Sequence, residues 1–252
     1  EEVARIYGYD KMPSTPPLAN LRMPGDSGDS CLPELQQALM NRGYHEIISY
    51  SFVDKTRQEK ILGEINPIPL LNPISSDLGV MRASLIPGLL DTLAYNHKRQ
   101  QERVRLFECG RVFRNDGEIR QDIIIGGIIS GNIFLKQWDK EDISSDIYDI
   151  KGDIEALVQL GMGEQDIDYR AFKHHALHLG QSAQIFIKNQ LIGLVGALHP
   201  RLIKEFDLKQ AVYVFELELS QISSKKPSSR REFLGLRWQS SVAARPSAPK
   251  VT

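Results

Sequence analysis

The chain has 252 residues, of which 41% are hydrophobic and 25% charged, with a formal net charge of −1. That balance excludes an intrinsically disordered chain, and no apolar run approaches the roughly 20 residues a bilayer span requires. Near-neutrality also rules out a bulk positive field for nucleic acid, so any RNA contact has to come from a local patch or from another chain.

The N-terminus lacks the basic, apolar and small-residue series of a secretory signal, which points to the cytosol. Cys31 and Cys109 are the two cysteines. Their distance in sequence suggests neither a disulfide framework nor a thiolate metal site.

In the opening EEVARIYGYD, Val3, Ile6 and Tyr7 fall at helical spacing, as in the last helix of a domain that begins before residue 1. From Lys11 to Ser30 the prolines Pro13, Pro16, Pro17 and Pro24 prevent regular structure, so residues 11–30 read as a linker and a domain boundary. Leu32, Leu35, Ala38 and Leu39 predict an amphipathic helix over 32–41 that Gly43 can end, and Glu46 to Phe52 predicts a strand. A short helix is expected after Asp54. Pro67, Pro69 and Pro73 break the next stretch into extended pieces. Ser84 can then cap a helix carrying Leu85, Leu89, Leu90 and Leu93, with a polar, basic far end.

Val104 and Leu106 alternate with Arg103 and Arg105, and Ile123 to Ile129 has the length of a buried strand; RNDGEIRQ between them fits a hairpin turn. Asp149 to Leu160 returns to helical spacing. Ala183 to Leu198 gives two strands around a tight turn at Lys188, Asn189 and Gln190, and Val212 to Leu219 gives another. Hairpins interrupted by separate helices, without regular βα alternation, predict an α+β fold with a mostly antiparallel sheet.

Seven segments, in order, carry a resemblance: EEVARIYGYDKMP, GYHEIISYSFVD, NPISSDLGVMRASLIPGLL, NHKRQQERVRLFECGRVF, YDIKGDIEALV, HHALHLGQSAQIFI and IGLVGALHP. Together they are similar to the bacterial phenylalanyl-tRNA synthetase beta subunit family, from residue 1 to about 220. The resemblance implies four regions: 1–10, the end of a B5-like domain; 11–30, the linker; 31–222, a class II catalytic-like B6–B7 domain; and 223–252, a truncated or disordered tail. It implies a class II aminoacyl-tRNA synthetase-like antiparallel sheet flanked by helices, inside an alpha2beta2 ligase that charges tRNA(Phe) with phenylalanine using ATP. In that family the alpha subunit binds ATP and performs catalysis, so the segment is expected to be a scaffold and interface with no catalytic or nucleotide-binding residue of its own. The expected partners are the alpha subunit and tRNA(Phe), with no membrane and no DNA.

Class II chemistry needs an arginine against the ATP α-phosphate and an acidic partner on a strand–loop–strand unit. Arg105, Glu108 and Arg111 lie on such a unit, but the late strand with Gly193 and Gly196 offers no arginine before Arg201. The ATP site therefore reads as incomplete, and Arg105 and Glu108 as a retained strand pair with solvated or interface charges. Cys109 reads as a small core residue.

Glu1 and Glu2 match the paired acids to which the resemblance assigns a magnesium ion, with companion aspartates upstream; carboxylate oxygens suit that hard cation. Without a metal, two glutamates opening a helix also suit its positive end. His174, His175 and His178 form the most metal-like cluster, since His174 and His178 at i and i+4 would share a helix face and could hold zinc. The flanking Leu177, Leu179 and Gly180 favour a strand-entry loop instead. The basic run His97, Lys98, Arg99 and then Arg103 suits a helix C-terminus first, a subunit contact second and RNA third. Helix 32–41 and strand 46–52 occupy the place of class II motif 1, which in the family packs against other subunits. Beyond Glu218, SSKKPSSRREFLGL still resembles the entry to the next family domain, whereas RWQSSVAARPSAPKVT does not continue it.

Overall fold

The computed structural model describes residues 2–12, 31–115, 117–139 and 141–223. Glu1, most of the expected linker and all but the first residue of the expected tail lie outside these residues.

Helix α1 (Glu2–Tyr7) precedes α2 (Leu32–Asn41), whose Leu35 and Leu39, four apart, are both fully buried. It stops before Gly43, whose φ of +82° is a backbone conformation glycine adopts freely. The expected strand 46–52 is instead split. Strand β1 (His45–Glu46) pairs with the main sheet, and β2 (Phe52–Val53) leaves it to pair with β3 (Val80–Met81). The intervening Ile48 and Tyr50 are exposed, while the neighbouring Ile47 N–H donates to the Phe107 carbonyl and the Ser51 carbonyl accepts from the Arg82 N–H, both at 2.9 Å. Between β2 and β3, α3 (Lys55–Leu62) begins as expected at Asp54, whose side chain accepts from the Arg57 N–H at 2.6 Å.

Helix α4 (Ile86–His97) follows, then a long hairpin of β4 (Val104–Asn115) and β5 (Ile119–Ser130) with twelve facing pairs. Helix α5 (Ile147–Met162) opens on a reciprocal capping box: Asp146 accepts from the Asp149 N–H at 3.1 Å, and Asp149 accepts from the Asp146 N–H at 2.7 Å. Strand β6 (Ile167–Ala171) was not foreseen. The paired β7 (Leu177–Ile187) and β8 (Gln190–Leu198) turn through Lys188 and Asn189, both at positive φ (49° and 66°), as a two-residue hairpin requires. Helix α6 (Pro200–Glu205), strand β9 (Val212–Glu218) and helix α7 (Leu219–Ile222) complete the described chain.

The main sheet runs β1-β4-β5-β9-β8-β7-β6 and is antiparallel throughout, except that β1 lies parallel to β4. This is the mostly antiparallel α+β sheet expected from the hairpins. Each sheet face carries its own core. Leu85, Leu89 and Leu93 of the α4 side pack on Leu106, Ile124, Ile128 and Val214, while α2, α5 and α7 pack on Phe107, Ile125, Ile129 and Phe215 on the other. Successive strand residues face opposite sides, so the isoleucines of β5 on either side of Gly126 and Gly127 serve both cores. Gly127 is required by this packing: a Cβ there would stand 2.3 Å from the Phe215 ring.

Candidate functional site

The alternation across β4 decides where the charged residues go. Arg105, on the α5 side, is 7% exposed, and its Nη1 donates to Asp153 at 3.3 Å. Glu108 faces the other way, is 2% exposed, and accepts from Arg82 Nη1 at 2.5 Å and from Ser49 Oγ at 2.6 Å. The expectation of solvated or interface charges is therefore wrong for both: each is buried with a partner, which is the condition under which a charge tolerates removal from water. Nor do they form one unit with Arg111, which faces away from Glu108, three residues before it, and lies at the exposed end of the face it shares with Arg105. Arg111 is exposed and bonds Gln121 at 3.4 Å.

Arg82 ties three segments together. Its Nε donates to the Arg111 carbonyl at 2.8 Å, its Nη1 to Ser49 Oγ at 3.0 Å, and its backbone N–H to the Ser51 carbonyl at 2.9 Å. The guanidinium lies across Gly110, where a Cβ would stand 2.0 Å from Nη2. On the opposite face Asp153, 2% exposed, accepts from Arg42 at 2.8 Å and from the buried Tyr44 hydroxyl at 2.7 Å. Burial, then the Asp153 carboxylate, holds the Tyr44 hydroxyl well above its ordinary pKa.

The polar cleft of the α4 face lies further along β4. Two adjoining hollows of about 180 and 320 Å³ share Arg114, His174, Leu194 and Glu216, with Glu218 and Gln184 at one end and Glu64 at the other. Arg114, not Arg105, is the β4 arginine that reaches this cleft. Its even position, matching Val112 on the α4 face, was the available signal. Glu216, from β9, forms the floor: its Oε1 accepts from Ser84 Oγ at 2.7 Å and from the Leu85 N–H at 2.6 Å. Ser84 Oγ in turn accepts from the Ile86 N–H at 3.0 Å; the N-cap itself is Leu85, one residue past the expected serine, and its N–H goes to a carboxylate 131 residues further along. Burial raises the Glu216 pKa, against the lowering by those hydrogen bonds and by Arg114. Burial, then His175, lowers that of His174.

The histidines do not share a helix face. His178 lies in β7, and His174 and His178 each accept a nearby backbone N–H through Nδ1, from Ala176 at 3.2 Å and Gly180 at 3.1 Å. Among the described residues no group of three His, Cys, Asp or Glu side chains could hold a metal ion. Glu2 is paired to Arg5 at 2.6 Å on exposed α1, and Glu1 lies outside the described residues. At the end of α4, burial and then Lys209 lower the His97 pKa, while Arg99 stacks on Tyr95 at 3.3 Å. Arg201 donates to the Lys60 carbonyl at 2.8 Å, tying α6 to α3. Burial, then Glu46 and Glu108, pushes the Cys109 thiol up to about 11, in keeping with a packed rather than nucleophilic residue.

A seven-stranded, almost wholly antiparallel sheet between two helical layers, with a polar cleft on the α4 face, is the class II aminoacyl-tRNA synthetase arrangement. In fold it is similar to a pyrrolysyl-tRNA synthetase from Desulfitobacterium hafniense, with a TM-score of 0.56 at 11% identity over 77% of this chain and 68% of that one. Residues 12–219 match the model of the phenylalanyl tRNA synthetase beta chain CLM domain, and the chain belongs to that family. It is 44% identical to the phenylalanine–tRNA ligase beta subunit of Sodalis glossinidius over 90% of this chain and 29% of that protein. It is 43% identical to that of Photorhabdus laumondii over 92% and 30%, and 41% identical to that of Pseudoalteromonas translucida over 92% and 31%. The chain thus spans less than a third of the length of these relatives. Among the described residues no helix is long and apolar enough to cross a membrane.

Proposed function

We propose that the chain is the non-catalytic scaffold of a phenylalanine–tRNA ligase beta subunit, supporting an alpha subunit that binds ATP and charges tRNA(Phe). The observation that carries this reading is the charge of its cleft. Among the described residues Glu64, Glu216 and Glu218 line it with a single arginine, Arg114, and the His174 pKa is shifted down, away from the cationic form. A triphosphate there would meet more carboxylate than cation, the reverse of what stabilises developing phosphate charge.

The exposed apolar residues support the interface role. Ile48, Tyr50, Leu71 and Ile74 are 94, 76, 97 and 90% exposed, on two segments tied through β2 and β3 by the Leu70–Gly79 and Met81–Ile68 backbone bonds. Large exposed apolar side chains on a folded surface suit a protein partner, here the alpha subunit. The domain limits belong to the same proposal: α1 has no buried residue, and the class II module begins at α2. So do tRNA contact and a cytoplasmic location of the intact ligase. Magnesium at Glu1 and Glu2 would need carboxylates beyond these two.

Pyrophosphate exchange with ATP and phenylalanine, and co-purification with the matching alpha chain, test the reading together. The chain alone is expected to exchange nothing yet to retain the alpha chain at micromolar concentration, and Tyr50→Asp with Ile48→Asp to weaken retention at least tenfold. Exchange by the chain alone would overturn the scaffold assignment; no retention would remove the alpha subunit as partner.

A further inference from the structure

The sheet face opposite Glu216 carries a second cleft, of about 480 Å³, with the reverse charge. Among the described residues, Arg42, Arg103 and Arg105 line it against one carboxylate, Asp153. Arg42 and Arg105 each commit one nitrogen to that carboxylate, at 2.8 and 3.3 Å. Arg103 donates through Nε to the Ile133 carbonyl at 3.2 Å, and no other hydrogen bond of its guanidinium is found among the described residues. Arg105 is 7% exposed, and its Nε is buried without an acceptor.

Two glycines hold these groups together. Gly43, at φ +82°, lies beside the Arg103 fork, where a Cβ would stand 3.3 Å from Nη2. Gly131, at φ +94°, presses the segment that carries Ile133 onto the start of β4, where a Cβ would stand 2.1 Å from the Glu102 carbonyl oxygen. Phe134 and Leu135 add an apolar wall. Desolvation, then Arg105, lowers the Arg103 pKa, as expected of a cation held near another away from full hydration.

From this geometry we infer that the cleft between Gly43, β4 and the 131–135 segment binds a phosphate dianion. Three guanidinium cations against one carboxylate leave two positive charges for the ligand to balance. A monoanionic carboxylate would balance half of that, whereas a phosphate dianion matches it and offers oxygens that planar guanidinium forks grip in pairs. The Arg103 fork and the uncommitted nitrogens of Arg42 supply the donors, while Arg105 stays anchored on Asp153. The phosphate is either free or carried on a small ester whose apolar part lies along Phe134 and Leu135.

Calorimetric titration of inorganic phosphate into the chain, at ionic strength matched with chloride, tests the site, with phenyl phosphate as the second arm. Saturable phosphate binding is expected, weakened about tenfold or more by Arg103→Gln and less by Arg103→Lys, which retains charge but loses the fork. Arg103→Gln leaves the Asp153 pairs in place, so its thermal midpoint reports whether the fold survives. Tighter binding of phenyl phosphate identifies an ester as the ligand, and equal binding identifies free phosphate. Binding that is absent, that chloride reproduces, or that folded Arg103→Gln retains in full would overturn the proposal.

Discussion

Arg82 and Glu108 meet at 2.5 Å in the interior, each no more than 4% exposed, and the guanidinium reaches the carboxylate across the bare Cα of Gly110. The pair joins β4 to the segments before β2 and after β3, beside the β1–β4 pairing and the Phe113 N–H bond to the Arg82 carbonyl. A buried pair contributes little over an apolar substitute, but breaking it strands a charge.

Glu108→Gln or Arg82→Met is therefore expected to destabilise the fold by about 3–5 kcal/mol. Gly110→Ala should approach the same loss, because the methyl group displaces Arg82. Urea unfolding measures all three, and losses under about 1 kcal/mol would mean that the pair is not the tie described.

Asp153 bears the same relation to the other face. Asp153→Asn leaves Arg42 and Arg105 without a counter-charge and is expected to cost about 3–5 kcal/mol. Tyr44→Phe removes only the hydroxyl donor and should cost about 1.5–3 kcal/mol. If the two variants had equal midpoints, the arginines would not depend on Asp153.

Glu216 predicts a pH dependence. Its pKa is raised above the ordinary 4.5 by burial, so the folded state holds this proton more tightly than the unfolded one. The contribution is complete below the unfolded pKa and is lost as pH rises through the folded pKa. Glu216→Gln can still accept from Ser84 and Leu85 without a charge. It should unfold at a higher temperature than the parent at pH 7, with the gap closing towards pH 4. Calorimetric scans across that range check it, and a gap that widens on acidification would give the shift the wrong sign.

Cys109, with its thiol pushed up to about 11, is nearly all protonated at pH 8, leaving about one thiolate in a thousand. Iodoacetamide at that pH should label Cys109 slowly in the folded chain and rapidly after denaturation. Peptide mass mapping reads the outcome; equal rates in the two states would mean that burial does not protect it.

Periodicity made most elements legible. Leu35 and Leu39 announced α2, Asp54 announced α3, and the turn at Lys188 and Asn189 announced the β7–β8 hairpin, because each depends on neighbours within a few residues. The 46–52 strand failed because an extended apolar segment forms a strand only where a partner edge exists: Glu46 finds one on β4 and Phe52 one on β3, and the residues between them belong to neither pairing. Strand β6 carries a short alternation, Ile167 and Tyr169 against Asp168 and Arg170, that went unread; its pairing with β7 at the sheet edge is what fixes it.

The site divides in the same way. The sequence alone determined the family, the antiparallel α+β class and the residues available for chemistry on β4. Tertiary structure decided what those residues do. Strand alternation sends Arg105 and Glu108 to opposite cores, and partners 48 and 26 residues away neutralise them. It also brings Arg114 beside Glu216 from a distant strand. No local pattern encodes such meetings, since the electrostatic cost of a buried charge depends on which distant side chain the fold places against it.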